Sequence, residues 1–397
     1  MANKHHQQAR LLPVVTWVIA LLVYHSTLPA GLTWANYGAD GGELITAAVT
    51  GGIPHPPGYP TYMLFGQLLS WLSCHPLAYC FNLFSAVCIA AAAAVVTTIA
   101  QHLQKSAVLA LSSGLTLAFM PLVWSQALIT EVYGLNLFVL ALALWSLYVH
   151  KSPYLSGFLC GLSLTTHLTS IFILPLALIK LSPKQWLRFG GTFFLGLTPF
   201  LWLLIRAQNT SPVMWGDATT IAGWWWLVSG RIYQSNLFSA SNQLIYSRLQ
   251  TWSAALGWQL GYIGWGLIAY ATYKKRPDIA PFLPLGGSAA LYAFYALGYD
   301  SFDAAVFTLP ALLLLSVALI FALQSLPRAA LFLPLVLLTL NFQSLSYDDS
   351  DQIETISQAV LQQMPEQAIV LAEGGGQTIF TLWYFHHVEG VRSDLVL

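Results

Sequence analysis

Eleven apolar stretches, most of them near the length that carries a helix through a bilayer, follow one another along the chain with polar turns between them. They fall near residues 11–29, 77–100, 107–125, 131–149, 154–166, 169–181, 187–205, 252–272, 280–298, 304–323 and 329–346. A bilayer core takes about 20 mostly apolar residues per helix, fewer where the helix is half-buried in protein. Inside hydrocarbon each segment must satisfy its own backbone hydrogen bonds, so the expectation is an all-α polytopic membrane protein with about eleven transmembrane helices. Charge points the same way: 15 Lys plus Arg balance 15 Asp plus Glu, and only 8% of the 397 residues are charged while 57% are hydrophobic. The mean hydropathy is +0.65. A soluble domain carries about 25% charged residues. A soluble enzyme, a nucleic-acid binder and a disordered chain are therefore excluded.

Lys and Arg stay on the cytoplasmic side of short loops. With the N-terminus inside, Lys4, Arg10, Lys105, Lys151, Lys180, Lys184, Arg188, Lys274, Lys275, Arg276 and Arg328 all fall inside, and only Arg206, Arg231, Arg248 and Arg392 fall outside. Asp278 is inside, and the other carboxylates lie outside or at outer helix ends. This places the polar chemistry on the extracytoplasmic face of a bacterial inner membrane. The asymmetry also supports reading 154–166 and 169–181 as two short helices, because a single span there would invert everything downstream. The first stretch follows Lys4 and Arg10 as a signal peptide would, but no small-x-small cleavage site precedes Trp34, so it is read as a span.

The organisation expected is a transmembrane domain over 1–346, with outer loops 30–76 and 206–251, followed by a short extracytoplasmic α/β segment over 347–397. Residues 59–73 read as an amphipathic helix lying in the interface. In the C-terminal segment Ile353, Ile356, Val360, Leu361 and Met364 recur at helical spacing before Pro365; 368–372 reads as a buried strand, 378–387 as a helix and 395–397 as another strand. The triple glycine 374–376 is read as a turn, since no phosphate-loop pattern follows. Cys74, Cys80, Cys88 and Cys160 show no metal spacing and are read as small apolar residues. No internal repeat relates the halves, which counts against a secondary transporter.

Three outer constellations carry the chemistry. The first is Tyr37-Gly-Ala-Asp40-Gly-Gly-Glu43 followed by Gly51-Gly-Ile-Pro-His55-Pro-Pro-Gly-Tyr59-Pro60, in a stretch with no Lys or Arg between Arg10 and Lys105. If Glu43 opens a helix, both carboxylates lie on one side of its N-terminus, where the helix dipole favours ionisation. Two carboxylates and a histidine can supply a general base and hydrogen bonds to a sugar hydroxyl, or, with Asp40 and Glu43 as ligands, hold one divalent cation such as Mg or Mn with waters. The second is Trp124-Ser-Gln126 through Glu131-Val-Tyr133-Gly-Leu-Asn136, with His167 at the next outer turn. The third joins Arg206, Trp215, Asp217, the Gly223-Trp-Trp-Trp run and Arg231, with Asp303 further on. Arginine forks suit phosphate oxygens, and tryptophans can stack on sugar rings or mark an interfacial belt.

With D-x-G-E, G-I-P-H-P-P-G-Y-P-x-Y, W-S-Q-A-x-I-x-E-V-Y-x-L-N, W-G-D-x-x-T-x-x-G-W-W-x-x-V-S-G-R-x-Y and a tail with G-V-R-S-D-L, the chain resembles, in order and over nearly its whole length, a bacterial membrane family long of unknown function. That family is similar to transmembrane protein O-mannosyltransferases of the GT-C glycosyltransferase superfamily. The resemblance implies a GT-C-type fold and a polyprenyl-phosphate sugar donor, with transfer to a hydroxyl of a protein or glycan acceptor. It puts Asp40 in the place of the first-loop catalytic aspartate, with Glu43 beside it. Position 41 is Gly where that family often has Ser. The competing class is a non-catalytic membrane protein that transports, binds or flips a lipid-linked sugar; its marks would be ionisable residues at mid-membrane or paired broken helices, and neither is evident.

Overall fold

The computed structural model describes residues 2–104, 106–275, 282–372 and 376–397, with the side chains of 2–10, 274, 275 and 282 not described. The side chains of Lys4, Arg10, Lys274 and Lys275, and the whole of Lys105, Arg276, Asp278 and the 373–375 part of the glycine turn, lie outside what is described.

The chain is helical. The first half holds α1 (Ala2–His25), α2 (Gly41–Thr50), α3 (Pro60–Ser70), α4 (Leu77–Gln104), α5 (Ala107–Phe119), α6 (Pro121–Ala127), α7 (Tyr133–Trp145), α8 (Pro153–Leu164), α9 (Leu174–Lys180), α10 (Pro183–Gly196) and α11 (Pro199–Arg206). The second half holds α12 (Ile221–Val228), α13 (Asn242–Gln259), α14 (Ile263–Lys275), α15 (Phe282–Gly298), α16 (Leu309–Ala322), α17 (Pro327–Ala330), α18 (Phe332–Leu345), α19 (Ser350–Gln362) and α20 (Gly376–Trp383). Local chemistry sets many starts: Ser106 and Ser152 cap α5 and α8, Ser182 and Gln185 form a capping box on α10, and Pro60, Pro121, Pro153, Pro183 and Pro199 occupy first turns. Proline is tolerated there because the first N–H groups have no intrahelical partner.

The long α4 is central and packs on α1, α5 and α7, while α16 closes the other side against α5, α7 and α15. α8 lies on α10 through small residues, where a Cβ on Gly157 or Gly161 would meet a backbone carbonyl of α10 at about 2 Å. Such close backbone approach is how helices associate when lipid supplies no hydrophobic drive.

Hydropathy counted stretches, and the structure counts helices. Among the described residues five helices are long and apolar enough to cross a membrane: Leu77–Gln104, Tyr133–His150, Pro183–Arg206, Ala304–Ala322 and Pro327–Gln362. α5 and α6 make a sixth if their 67° bend is taken within one span, and three shorter apolar helices accompany them. The eleven apolar stretches thus do not give eleven span-length helices. Prolines at the starts of α6 and α9 shorten the apolar runs into bent pieces. The protein is nonetheless a membrane protein: helices such as α10 and α11 expose Leu187, Phe194, Leu195, Leu201 and Ile205, a surface that water would not tolerate.

The helix expected over 59–73 is α3. It buries Tyr62, Met63 and Gly66 and turns Leu64, Phe65 and Leu68 outward, with Trp71 and Leu72 exposed beyond its end. Cys74 and Cys80, read from sequence as unpaired small residues, form a disulfide just after it, their Cα atoms 6.2 Å apart. Cys88 and Cys160 are free and buried, as read.

The tail departs from the sequence reading in one respect. α19 and α20 form where helices were expected, but 368–372 and 395–397 meet only through a single parallel bridge, Ile369 with Val396. Ile369 and Leu371 are 76% and 92% exposed, so the former stretch is not a buried strand. Two short segments without a third neighbour have no sheet face to bury. α20 instead packs on α2, where Gly42 lies against the Phe380 carbonyl. Asp349 accepts from the Thr33 hydroxyl and the Trp34 N–H, and the Trp34 indole donates to Thr381 at 3.0 Å. The tail is fastened to the loop between α1 and α2.

Candidate active site

The first loop is built around a sharp turn. Asn36 and Tyr37 both take positive φ, held from below by the Gln126 amide donating to the Asn36 carbonyl at 2.9 Å. The chain then enters α2 at Asp40, its N-cap, with Glu43 in the first turn. α2 ends at Gly51 in the left-handed region, and the next residues run alongside 213–215: the Ile53 N–H donates to the Val213 carbonyl at 2.9 Å and the Trp215 N–H to the Ile53 carbonyl at 3.1 Å. That pairing carries His55 back over the N-terminus of α2.

Glu43 is wholly buried and is taken up by His55. One carboxylate oxygen accepts the His55 backbone N–H at 3.1 Å and the other meets the ring Nδ1. The opposite ring nitrogen, Nε2, lies 3.0 Å from the Tyr59 hydroxyl and 3.6 Å from Asp40 Oδ2. The edges of Trp215 and Tyr233 flank the ring, with centroids 6.4 and 6.2 Å away.

Asp40, His55 and Tyr59 open into a cavity of about 550 Å³, which Tyr133, His167, Tyr233, Tyr295, Tyr299, Asp303 and Phe307 also line. A third of the Asp40 side chain (34%) faces this space although the group lies deep in the protein. Burial lifts the Asp40 carboxyl to about 6, the charge of His55 opposing the rise and those of Glu43 and Asp303 adding to it. Burial pulls His55 down, but Glu43 and Asp40 outweigh it and push the imidazole up to about 10. His167 goes the other way, to about 4, because it is buried and then because His55 is charged. It packs among Tyr59, Tyr133 and Phe307 as a neutral ring.

Of the residues singled out in the sequence, Asp40, His55, Tyr59, Tyr133, His167 and Asp303 are brought together around the cavity. Glu43 stands behind His55. Glu131 is buried at the turn before α7, held well above the usual carboxylate range by burial and by Asp40. Asn136 pins α7 to the following turn by donating to the Ser163 carbonyl, the Thr166 hydroxyl and the Ser170 hydroxyl at 2.7–3.1 Å. Trp215 backs the His55 ring from outside the cavity lining. Asp217 is exposed and caps its own turn by accepting from the Thr219 N–H at 3.3 Å.

The two arginines expected to hold a phosphate do not line the cavity. Arg206 is buried behind α2, donating to the Ala47 carbonyl at 3.3 Å and to Gln67 at 3.4 Å, with its guanidinium over the Trp202 ring. Arg231 is exposed in the turn after Gly230. Arg248, read only as an outer-face cation, is buried and donates to the carbonyls of Ala296, Leu297, Tyr299 and Ser301. It ties off the end of α15 and the loop that carries Asp303. Tyr295 and Tyr299 were also missed; their signal was an aromatic pair one turn apart at the end of an apolar helix. Among the described residues no group of three His, Cys, Asp or Glu side chains is arranged to hold a metal ion, and His55 occupies the Glu43 oxygens.

A carboxyl whose proton affinity is raised toward neutrality, lining an aromatic-walled cavity in an apolar helical protein, has the properties of a group that can accept a proton from a bound substrate. The family model described as the protein O-mannosyl-transferase TMEM260 N-terminal domain matches residues 40–187, beginning at Asp40. The protein O-mannosyl-transferase TMEM260 of Mus musculus is 27% identical over 450 aligned positions covering 97% of this chain. The whole chain superposes on ArnT from Cupriavidus metallidurans bound to undecaprenyl phosphate, with a TM-score of 0.62 at 11% identity and 90% of that chain covered. The chain is thus similar in sequence to protein O-mannosyl-transferases and shares its fold with ArnT.

The apo structure of the same ArnT gives a TM-score of 0.57 at 13% identity, covering 96% of this chain and 88% of that one. A Dictyostelium discoideum protein O-mannosyl-transferase, tmem260, is 26% identical over 243 positions, 53% of this chain. The chain spans 62% of the length of the mouse relative and 29% of the Dictyostelium one.

Proposed function

We propose that the protein is a membrane glycosyltransferase that moves a sugar, mannose by analogy with the named relatives, from a polyprenyl-phosphate donor to an acceptor hydroxyl. The observation that carries this reading is the Asp40 carboxylate, lining an aromatic cavity and standing at the first residue matched by the O-mannosyl-transferase domain model. Asp40 accepts the acceptor's hydroxyl proton while the oxygen attacks the anomeric carbon in line, and the sugar–phosphate bond breaks on the far side with inversion. Tyrosines of the cavity wall offer faces for the sugar and hydroxyls for its oxygens. The undecaprenyl phosphate bound to the ArnT neighbour supports a lipid-phosphate donor, and the O-mannosyl-transferase relatives support a protein acceptor.

The site belongs on the extracytoplasmic face in this reading. Supporting it are the distribution of Lys and Arg and the Cys74–Cys80 disulfide close to the first loop, a bond that persists in oxidising compartments. The outward apolar face of α3 would rest in the membrane interface beside the cavity, near the donor's phosphate. The test is transfer from labelled polyprenyl-phosphate mannose by purified protein. Release and transfer of label support the reading, whereas binding of the lipid-linked sugar without turnover would favour a transport or flipping protein.

A further inference from the structure

Asp40 and Asp303 line the cavity, the buried carboxyls of Glu43 and Glu131 lie close enough to act on Asp40, and the lining contains no Lys or Arg among the described residues. A buried base among other acids tends to keep its proton, and a base that keeps its proton cannot take another. Among the described residues the side chain placed to offset these charges is the imidazole of His55, which lies against both Asp40 and Glu43. Its ring is fixed from behind: Glu43, with no exposed surface, receives both the ring Nδ1 and the backbone N–H of residue 55. Tyr59, Trp215 and Tyr233 box the ring edgewise at centroid distances of 5.1, 6.4 and 6.2 Å. Nε2 is thereby held on the cavity side of the ring, 3.0 Å from the Tyr59 hydroxyl and 3.6 Å from Asp40 Oδ2.

We propose that Glu43 and His55 are positioning residues for the Asp40 base, Glu43 clamping the imidazole by Nδ1 and Tyr59 holding Nε2, so that the ring stands beside Asp40 and keeps the carboxylate ionised in an otherwise acidic, apolar part of the cavity. The inference rests on the reading of Asp40 as the base. In the transfer step Asp40 gains the acceptor's proton as the new C–O bond forms and the sugar–phosphate bond breaks, and His55 keeps its own proton throughout. The titratable groups facing this pair come from every side: Glu43 on α2, Tyr59 ahead of α3, Glu131 and Tyr133 at the start of α7, His167 after α8, Tyr233 after α12 and Asp303 after α15.

The experiment compares the pH dependence of kcat/KM for mannosyl transfer in wild type and His55→Gln, together with imidazole NMR titration of wild type and Glu43→Gln. Removing His55 should move the acid limb up by about one pH unit, so that at the wild-type midpoint turnover falls several-fold relative to the variant's own plateau. Removing the Glu43 charge should bring the His55 titration, beyond pH 8 in wild type, down into the range between about 5 and 8. A purely structural role would lower melting temperature without moving either quantity. The proposal is overturned if the acid limb of folded His55→Gln coincides with that of wild type. Should neither variant fold, the wild-type titration decides alone: a His55 imidazole, assigned by its proximity to Tyr59, that is neutral at pH 8 also overturns it. If Asp40→Asn retains turnover, the base assignment has failed; if Asp40→Asn is dead while the His55→Gln limb is unmoved, only the positioning role has.

Discussion

Gly42→Ala places a methyl group where the structure has no room for one. A Cβ built on Gly42 would stand 2.2 Å from the Phe380 carbonyl oxygen, 2.6 Å from its carbon and 3.0 Å from the Thr381 nitrogen, all backbone atoms that no rotamer change can move aside. Restoring ordinary contact requires α2 and α20 to separate by about 1 Å, and a gap of that size forfeits a quarter to a half of the dispersion energy of the atoms facing it. Overpacking of this kind costs about 1–3 kcal/mol. Weakening the Trp34–Thr381 hydrogen bond at the same seam adds roughly 1 kcal/mol. The expected destabilisation is therefore about 2–4 kcal/mol. Because α2 carries Asp40 at its N-cap and Glu43 in its first turn, the same displacement moves the site, and a misplacement of about 1 Å can lower a rate roughly 100-fold. The control is Gly190→Ala in α10, where nothing lies within 4 Å of the added carbon and the helix gains about 1 kcal/mol of propensity. Thermal unfolding in detergent and mannosyl transfer are read on both. A Gly42→Ala protein that melts and turns over like Gly190→Ala would refute the claim that the tail braces the first loop.

In the proposed mechanism Asp40 is competent only as a carboxylate, so transfer should rise with pH through a limb near 6 and level off above it, as read in a pH profile of kcat/KM; a limb near 4 would mean that burial does not act on Asp40. Arg248→Met leaves the carbonyls of Ala296, Leu297, Tyr299 and Ser301 without their donor and should cost about 2–4 kcal/mol in thermal unfolding and lower turnover through the Asp303 loop. Arg206→Met should leave the KM for the polyprenyl-phosphate donor within about twofold, a change worth under 0.5 kcal/mol, because the side chain faces α2 and α3 and not the cavity; a rise of 100-fold would return it to the phosphate.

The first loop was legible because its charges stand out. Asp40, Glu43 and His55 lie in a stretch otherwise free of Lys and Arg, and prolines and glycines announce a fixed backbone around them. The helical bundle was legible from hydropathy, and the helix over 59–73 from its two-sided pattern. Contacts made to backbone were not legible. Arg248 binds four carbonyls, and carbonyls carry no signature in the sequence. The seam of Gly42 against Phe380 joins residues far apart in the chain through atoms that every residue possesses. Roles within the loop were also blurred: spacing put Asp40 and Glu43 on one side of a helix start, yet the fold shows one to the cavity and buries the other under His55. The place of Arg206 against α2 and α3 was not legible either, because a cation at a helix end suits both a phosphate and a buried helix seam, and only the three-dimensional packing shows which neighbours it has. The strand over 368–372 failed because a run of β-branched and apolar residues needs a sheet to bury it, and this segment has one bridge.

The central claim is that Asp40 is the base of a lipid-donor sugar transfer. The most direct test is single-turnover transfer from labelled polyprenyl-phosphate mannose by wild type and Asp40→Asn, with donor binding measured on the same preparations. Loss of transfer by about 100-fold or more, with donor affinity and melting temperature retained, is the expected result, since a general base contributes roughly 100- to 10,000-fold. Transfer by Asp40→Asn at the wild-type rate would contradict the account.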